Sequence, residues 1–231
     1  MTALTDIGEF SVSDSHTGGK DYLLRPSFEA MIRIGSPEEI VKAYATIHGH
    51  DVARLIEICT GTLSNFPAWL SPSFNRAAEK LLSTSMQVMQ ACCDDDLTPM
   101  IGEWKGWRHC VVYRPGQMPK NDIIILAQHL IQHGVVGKAK VRRLQRHESG
   151  ETTSEFRAFD YISAARSHFG MRRDEAAGLT MTEFQLLLAA KYPDQNGFTR
   201  EEYEKISDDY FAQRELKIKA AKRNNEIGRA S

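Results

Sequence analysis

The chain has 231 residues, with 29 Lys and Arg against 30 Asp and Glu, so its formal net charge is −1 with the 8 histidines neutral. That balance excludes a uniformly basic nucleic-acid binder and an acidic solvating tail, and 42% hydrophobic residues suffice for one large core or two small ones. No run approaches the roughly 18 apolar residues of a membrane span. Met1 to Asp6 has neither a basic start nor an apolar segment, and 4 cysteines are too few for a disulfide scaffold, so the expectation is an unexported soluble protein with reduced thiols.

In chain order, the first thirty residues read as a β-hairpin. Phe10 and Val12 alternate with serines, Gly18-Gly19 supplies a turn, and Tyr22-Leu23-Leu24 is stopped by Pro26. Ser36-Pro37-Glu38-Glu39 then spells an N-cap serine, a proline in the first turn and a glutamate at the third position, predicting a helix from Pro37 to about His48. A second helix is expected from Asp51 to Gly61, with Val52, Leu55, Ile56 and Cys59 inward. A longer one starts near Ser71-Pro72 and carries Phe74, Ala78, Leu81, Leu82, Met89 and Cys92 at helical spacing. Between Asp94 and Pro119, Thr98-Pro99, Gly102, Gly106 and Pro115-Gly116 break the pattern, and the segment reads as loop plus one strand at Cys110 to Tyr113.

From Asn121 to His133, Ile123, Ile124, Leu126, Ala127, Leu130 and Ile131 cover most of a helix. So broad an apolar surface implies a buried helix or a partner contact. A polar stretch at 138–153 with a basic start reads as a linker. It divides an N-terminal hairpin-plus-helix domain, 1–137, from a small helical module, 154–231. In that module Phe156 to Phe169 is an aromatic-rich helix, Met171 to Ala177 a helical turn, and Thr180-Met181-Thr182-Glu183 a capping box opening a helix that Pro193 ends. Thr199-Arg200-Glu201-Glu202 opens a last, increasingly charged helix with Tyr203, Ile206 and Tyr210 on one face. The fold class is therefore mainly α with a small N-terminal β-hairpin, in two helical domains.

The chemistry-bearing residues are sparse. His129 and His133 stand four apart on a helix, a spacing that can put two imidazoles on one metal, but Leu130 occupies the place where the metalloprotease pattern needs glutamate. Adjacent Cys92 and Cys93, with His109-Cys110, lack the two-to-four-residue ligand spacing of structural zinc. Cys92 and Cys59 read as small apolar core residues. Asp194-Gln195-Asn196-Gly197 resembles part of a calcium loop, but tyrosines, Tyr192 and Tyr203, fall at its first and last ligand positions. Asp94-Asp95-Asp96 follows a helix C-terminus, where negative charge is disfavoured, so the run is either solvated or paired with a cation. No nucleophile elbow, phosphate loop or dinucleotide fingerprint is present, and neither an enzyme nor a cofactor is expected. Lys138, Lys140, Arg142, Arg143 and Arg146 form a basic stretch that would bind nucleic acid nonspecifically or serve as a solvated linker, there being no aromatic residue in it on which a base could stack.

Two segments carry a resemblance. Leu23-Leu24-Arg25-Pro26-Ser27-Phe28-Glu29-Ala30-Met31 through Ile34-Gly35-Ser36-Pro37-Glu38-Glu39-Ile40 is similar to proteins encoded in the tail-gene regions of long-tailed bacteriophages. Phe159-Asp160-Tyr161-Ile162-Ser163-Ala164-Ala165, with Glu175-Ala176-Ala177-Gly178-Leu179-Thr180-Met181-Thr182-Glu183-Phe184, resembles the end of phage tail assembly chaperones. The resemblance implies a non-catalytic protein of the infected host cytoplasm that keeps tape measure and tail tube proteins soluble until the tail polymerises, in some systems made also as a frameshifted longer form. For such clients the candidate contacts are Ile123, Ile124, Leu130 and Ile131 together with Tyr203, Ile206 and Tyr210. A nucleic-acid-binding accessory protein using residues 138–146, and a minor virion structural protein, are the alternatives.

Overall fold

The computed structural model describes residues 6–14, 19–49, 71–107, 110–139 and 154–192. The expected helix at 51–61 and the C-terminal helix with Tyr203, Ile206 and Tyr210 lie outside them, as do Cys59, His109 and the calcium-like loop. The described chain is mainly α-helical with two small antiparallel two-stranded sheets.

Strand β1 (Phe10–Ser13) pairs with β2 (Asp21–Leu24) in the register Phe10 with Leu24 and Val12 with Tyr22. Because side chains alternate across a strand, all four of these residues fall on one face, and all four are buried. Helix α1 (Phe28–Ile34) follows, capped by the Ser27 hydroxyl, which accepts from the Ala30 amide at 3.1 Å. Helix α2 (Pro37–Ile47) opens with the expected capping box. The Ser36 hydroxyl accepts from the Glu39 amide, and the Ser36 amide donates to the Glu39 carboxylate at 2.8 Å. The Ser36 amide, and after it the Ser36 side chain, hold the Glu39 carboxyl below its usual range.

Helix α3 (Ser71–Ala91) is the long central helix, and it buries Leu82, Met86, Val88 and Met89. Its most extensive contact is with α5 (Lys120–Ile131), whose Ile123, Leu126, Ala127, Leu130 and Ile131 are buried. The segment expected as loop plus one strand instead forms a short helix, α4 (Thr98–Ile101), and a complete ribbon, β3 (Glu103–Trp107) with β4 (Cys110–Arg114). Glycine fits the ribbon's base: Gly102 has φ +83, and a Cβ there would strike the Arg114 carbonyl oxygen.

The helical run does not stop at His133, where the sequence predicts its end. The chain widens into one turn of π-helix, Gln132–Val136. After the linker come α6 (Ala158–Phe169), α7 (Arg173–Ala177) and α8 (Met181–Lys191). These helices share the core of the preceding residues rather than building their own. Phe28 stacks on Tyr161 at 5.6 Å and meets Phe184 edge-on at 6.0 Å, and the Phe156 amide donates to the Pro37 carbonyl at 3.0 Å. The expected division at 138–153 therefore does not separate two cores: Met1–Tyr192 forms one compact unit, because the aromatic face of α6 and α8 finds its apolar partner on α1.

Candidate functional site

The two segments that carry the sequence resemblance meet in space at a joint between two helix starts. An N-cap residue has extended backbone angles even though it begins a helix. Ser27 (φ −74, ψ 165) and Thr180 (φ −84, ψ 161) both do so, which lets them pair as an antiparallel bridge, with the Phe28 amide donating to the Leu179 carbonyl at 2.9 Å. Each N-terminus carries the positive end of its helix dipole, and each has an acidic residue in its first turn, Glu29 and Glu183. Glu183 also closes the Thr180 capping box and holds Arg25, whose guanidinium lies 3.2 Å from it and 2.8 Å from Glu9. Residues 158 positions apart in the chain are thereby tied together.

Behind the bridge lies a small buried polar cluster. The Thr182 hydroxyl accepts from the Lys138 amide at 3.1 Å and stands 2.8 Å from Nδ1 of His133, a residue of the π turn. A hydroxyl that accepts from the amide still has its proton to give, and a neutral imidazole takes it on Nδ1. Burial, with His129 and Lys138 nearby, pushes His133 down to about 4, so the ring is neutral near pH 7. His129 stacks at a tilt on His133 with centroids 4.5 Å apart and meets Phe10 edge-on, and burial lowers its pKa as well. Its Nε2 is buried without a hydrogen-bond partner among the described residues. The chain closes over the ring at Gly8, which has φ +92 and no room for a Cβ beside His133.

A hydroxyl and an imidazole at 2.8 Å have the geometry of an activated nucleophile. Thr182 and His133, however, are 2% and 3% exposed, so no substrate atom reaches the oxygen, and the pair acts as a pin between the π turn and α8. Among the described residues no group of three or more His, Cys, Asp or Glu could hold a metal ion. Cys92 and Cys93 are buried and Cys110 is exposed on β4. The alternatives left open for Asp94 to Asp96 divide: Asp94 meets Arg33 and Asp95 meets Lys20, each at 2.6 Å, with Asp94 still largely open to water, while the exposed Asp96 accepts from the Thr98 backbone amide at 3.0 Å and meets no cation among the described residues.

The expected partner face of α5 is interior. Ile123, Leu130 and Ile131 are fully buried against α3 and the rest of the core, and Ile124 is half-buried. It is Ile125, on the opposite side, that faces solvent. Of the basic stretch, Lys138 is exposed, and Lys140, Arg142, Arg143 and Arg146 lie outside the described residues. Two apolar surfaces that sequence reasoning missed are open instead. Helix α8 has apolar residues on every side, and of these Leu186 is 43% exposed. On β4, Val111 is 65% and Val112 47% exposed. The signal for the second was the short gap of two residues between Trp107 and Cys110, the length of a tight hairpin turn, whereas Trp104 and Trp107, three apart, fall on opposite faces and give no alternation.

A family model described as a family of unknown function (DUF6246) matches residues 24–205, and the chain belongs to that family. No curated protein and no solved structure matches the chain.

Proposed function

We propose that this DUF6246 protein is a non-catalytic, tail-assembly-chaperone-like protein that works in the cytoplasm of a phage-infected host and binds tape measure or tail tube protein before the tail polymerises. The observation that carries this reading is α8. The helix begins inside the segment that resembles the end of tail assembly chaperones, is pinned at its N-terminus by the Ser27–Thr180 bridge and the His133–Thr182 pair, and then presents Leu186 to solvent. A helix that is apolar on every side is ordinarily enclosed. One that is anchored at its start and open along one flank suits a client helix laid against it. No described helix is long and apolar enough to cross a membrane.

Co-expression of the full chain with a tape measure protein tests this, the expected result being co-purification of a stable complex. Leu186→Glu places a charge on that flank at a site already open to water, so it lowers recovery of the client while thermal unfolding stays unchanged. Failure to bind any tail protein, together with a salt-sensitive gel shift on DNA, would transfer the function to the basic stretch that begins at Lys138.

A further inference from the structure

We propose that the β4 edge is a self-association surface, through which two copies of this chain join their β3–β4 ribbons into one four-stranded antiparallel sheet. The inference is independent of the client reading. Among the described residues β3 and β4 pair only with each other, and the outer row of backbone donors and acceptors on each meets no other described strand. Such edges recruit another strand unless charge, proline or a covering element blunts them.

The two edges of this ribbon differ in that respect. Strand β3 carries Glu103 and Lys105, and a two-fold pairing of β3 about its central residue would set Lys105 directly against the second copy's Lys105. Like charges directly opposite are destabilising. Strand β4 reads Cys110-Val111-Val112-Tyr113-Arg114, with no charge before its last residue. An antiparallel two-fold centred on Val112 sets Val112 against Val112, Val111 against Tyr113 and Cys110 against Arg114, so every cross-copy pair is apolar or uncharged on one side. Valine beside tyrosine is among the favourable cross-strand pairs.

The register also suits the backbone. In an antiparallel ribbon alternate residues turn their amide and carbonyl outward, and a two-fold at Val112 matches outward groups to outward groups whether Val112 itself or its neighbours supply them. Val111 is the most exposed large apolar residue described, at 65%, and Val112 is 47% exposed, while Tyr113 is half-buried beside Trp104. A lone two-stranded ribbon is marginal in water, whereas four strands with a shared apolar face are not. Five residues per strand make a small interface, so the association is reversible and concentration-dependent.

Sedimentation of the full chain over a range of concentrations should show a monomer–dimer equilibrium. Val112→Lys puts two ammonium groups face to face at the axis and weakens that equilibrium at least about tenfold, whereas Val112→Thr, which keeps a β-branched residue there, leaves it nearly intact. Disulfide trapping in a Cys110→Ser background reads the register directly. Val112→Cys brings its two thiols opposite one another and yields a covalent dimer under mild oxidation. Val111→Cys yields little, since its two copies are diagonal neighbours about 7–8 Å apart. A monomer at every concentration, dimerisation indifferent to Val112→Lys, or equal trapping at positions 111 and 112 would overturn the proposal. So would a chain whose β4 edge takes up an extended peptide but never a second copy.

Discussion

The two ribbons of this protein are similar in length and identical in topology, but they dispose of their apolar residues in opposite ways. In β1–β2 the alternation is kept: Phe10, Val12, Tyr22 and Leu24 face the core, and Leu24 makes a further backbone bridge to Cys93 at the end of α3. In β3–β4 the adjacent valines 111 and 112 belong to opposite faces of one strand, so no single surface can cover both, and the ribbon is held mainly at its base. There Trp104 packs on Tyr113 at 5.4 Å, the Tyr113 hydroxyl donates to the Ile101 carbonyl at 2.8 Å, and the Lys120 ammonium sits 4.9 Å from the Tyr113 ring centre. The difference teaches that a hairpin takes its stability from what it lies on. The first ribbon is part of the core, and the second is an appendage with apolar side chains left over.

The largest expected effect breaks the first ribbon. Leu24→Ala removes a fully buried side chain and should cost about 2–5 kcal/mol of unfolding free energy, measured by denaturant titration. Next comes the histidine pair against which β1 packs. His133 has its pKa depressed in the folded state, to about 4 from an ordinary 6.5. The unfolded chain therefore binds more protons in that window, so stability is fully present above pH 6.5 and is lost as the pH falls toward 4. The loss is about 3 kcal/mol, and His133→Asn should remove most of that slope.

The second ribbon responds less. Tyr113→Phe deletes the hydrogen bond from the ribbon's aromatic anchor to the Ile101 carbonyl of α4 and should cost about 1 kcal/mol. Val111→Thr, at a 65% exposed position, should change the monomer's stability by less than about 0.5 kcal/mol. A loss above about 1 kcal/mol there, at concentrations where the chain is monomeric, would show that the second ribbon is packed as the first is, and the contrast between them would fall.

Much of the local structure was legible because its causes are local. The Ser36 and Thr180 capping boxes, the alternation of Phe10 and Val12, and the apolar spacing from Ser71 onward each involve residues within a turn or a strand of one another. The site was less legible. His129 and His133 stand out by spacing, but the partner of His133, Thr182, lies 49 residues away, and nothing in either segment alone announces the other. Arg25 drew no notice as a functional side chain, because its role depends on Glu9 and Glu183 arriving from either end of the chain. The apolar face of α5 is broad in the sequence itself, but periodicity reports how much surface must be covered and is silent on whether another helix of the same chain or a partner covers it.

By itself, then, the amino-acid sequence determined a mainly α chain with a small N-terminal β-hairpin and the starts of its helices, since hydrophobic period and capping act over a few residues. The tertiary structure alone decided that residues 154–192 complete the first core instead of forming a second, that the face of α5 carrying Ile123, Leu130 and Ile131 is interior, and that Leu186, Val111 and Val112 are among the apolar residues left to solvent. Burial is a property of what else arrives at a surface, and α3, α1 and the aromatic face of α6 reach those surfaces only once the whole chain has folded.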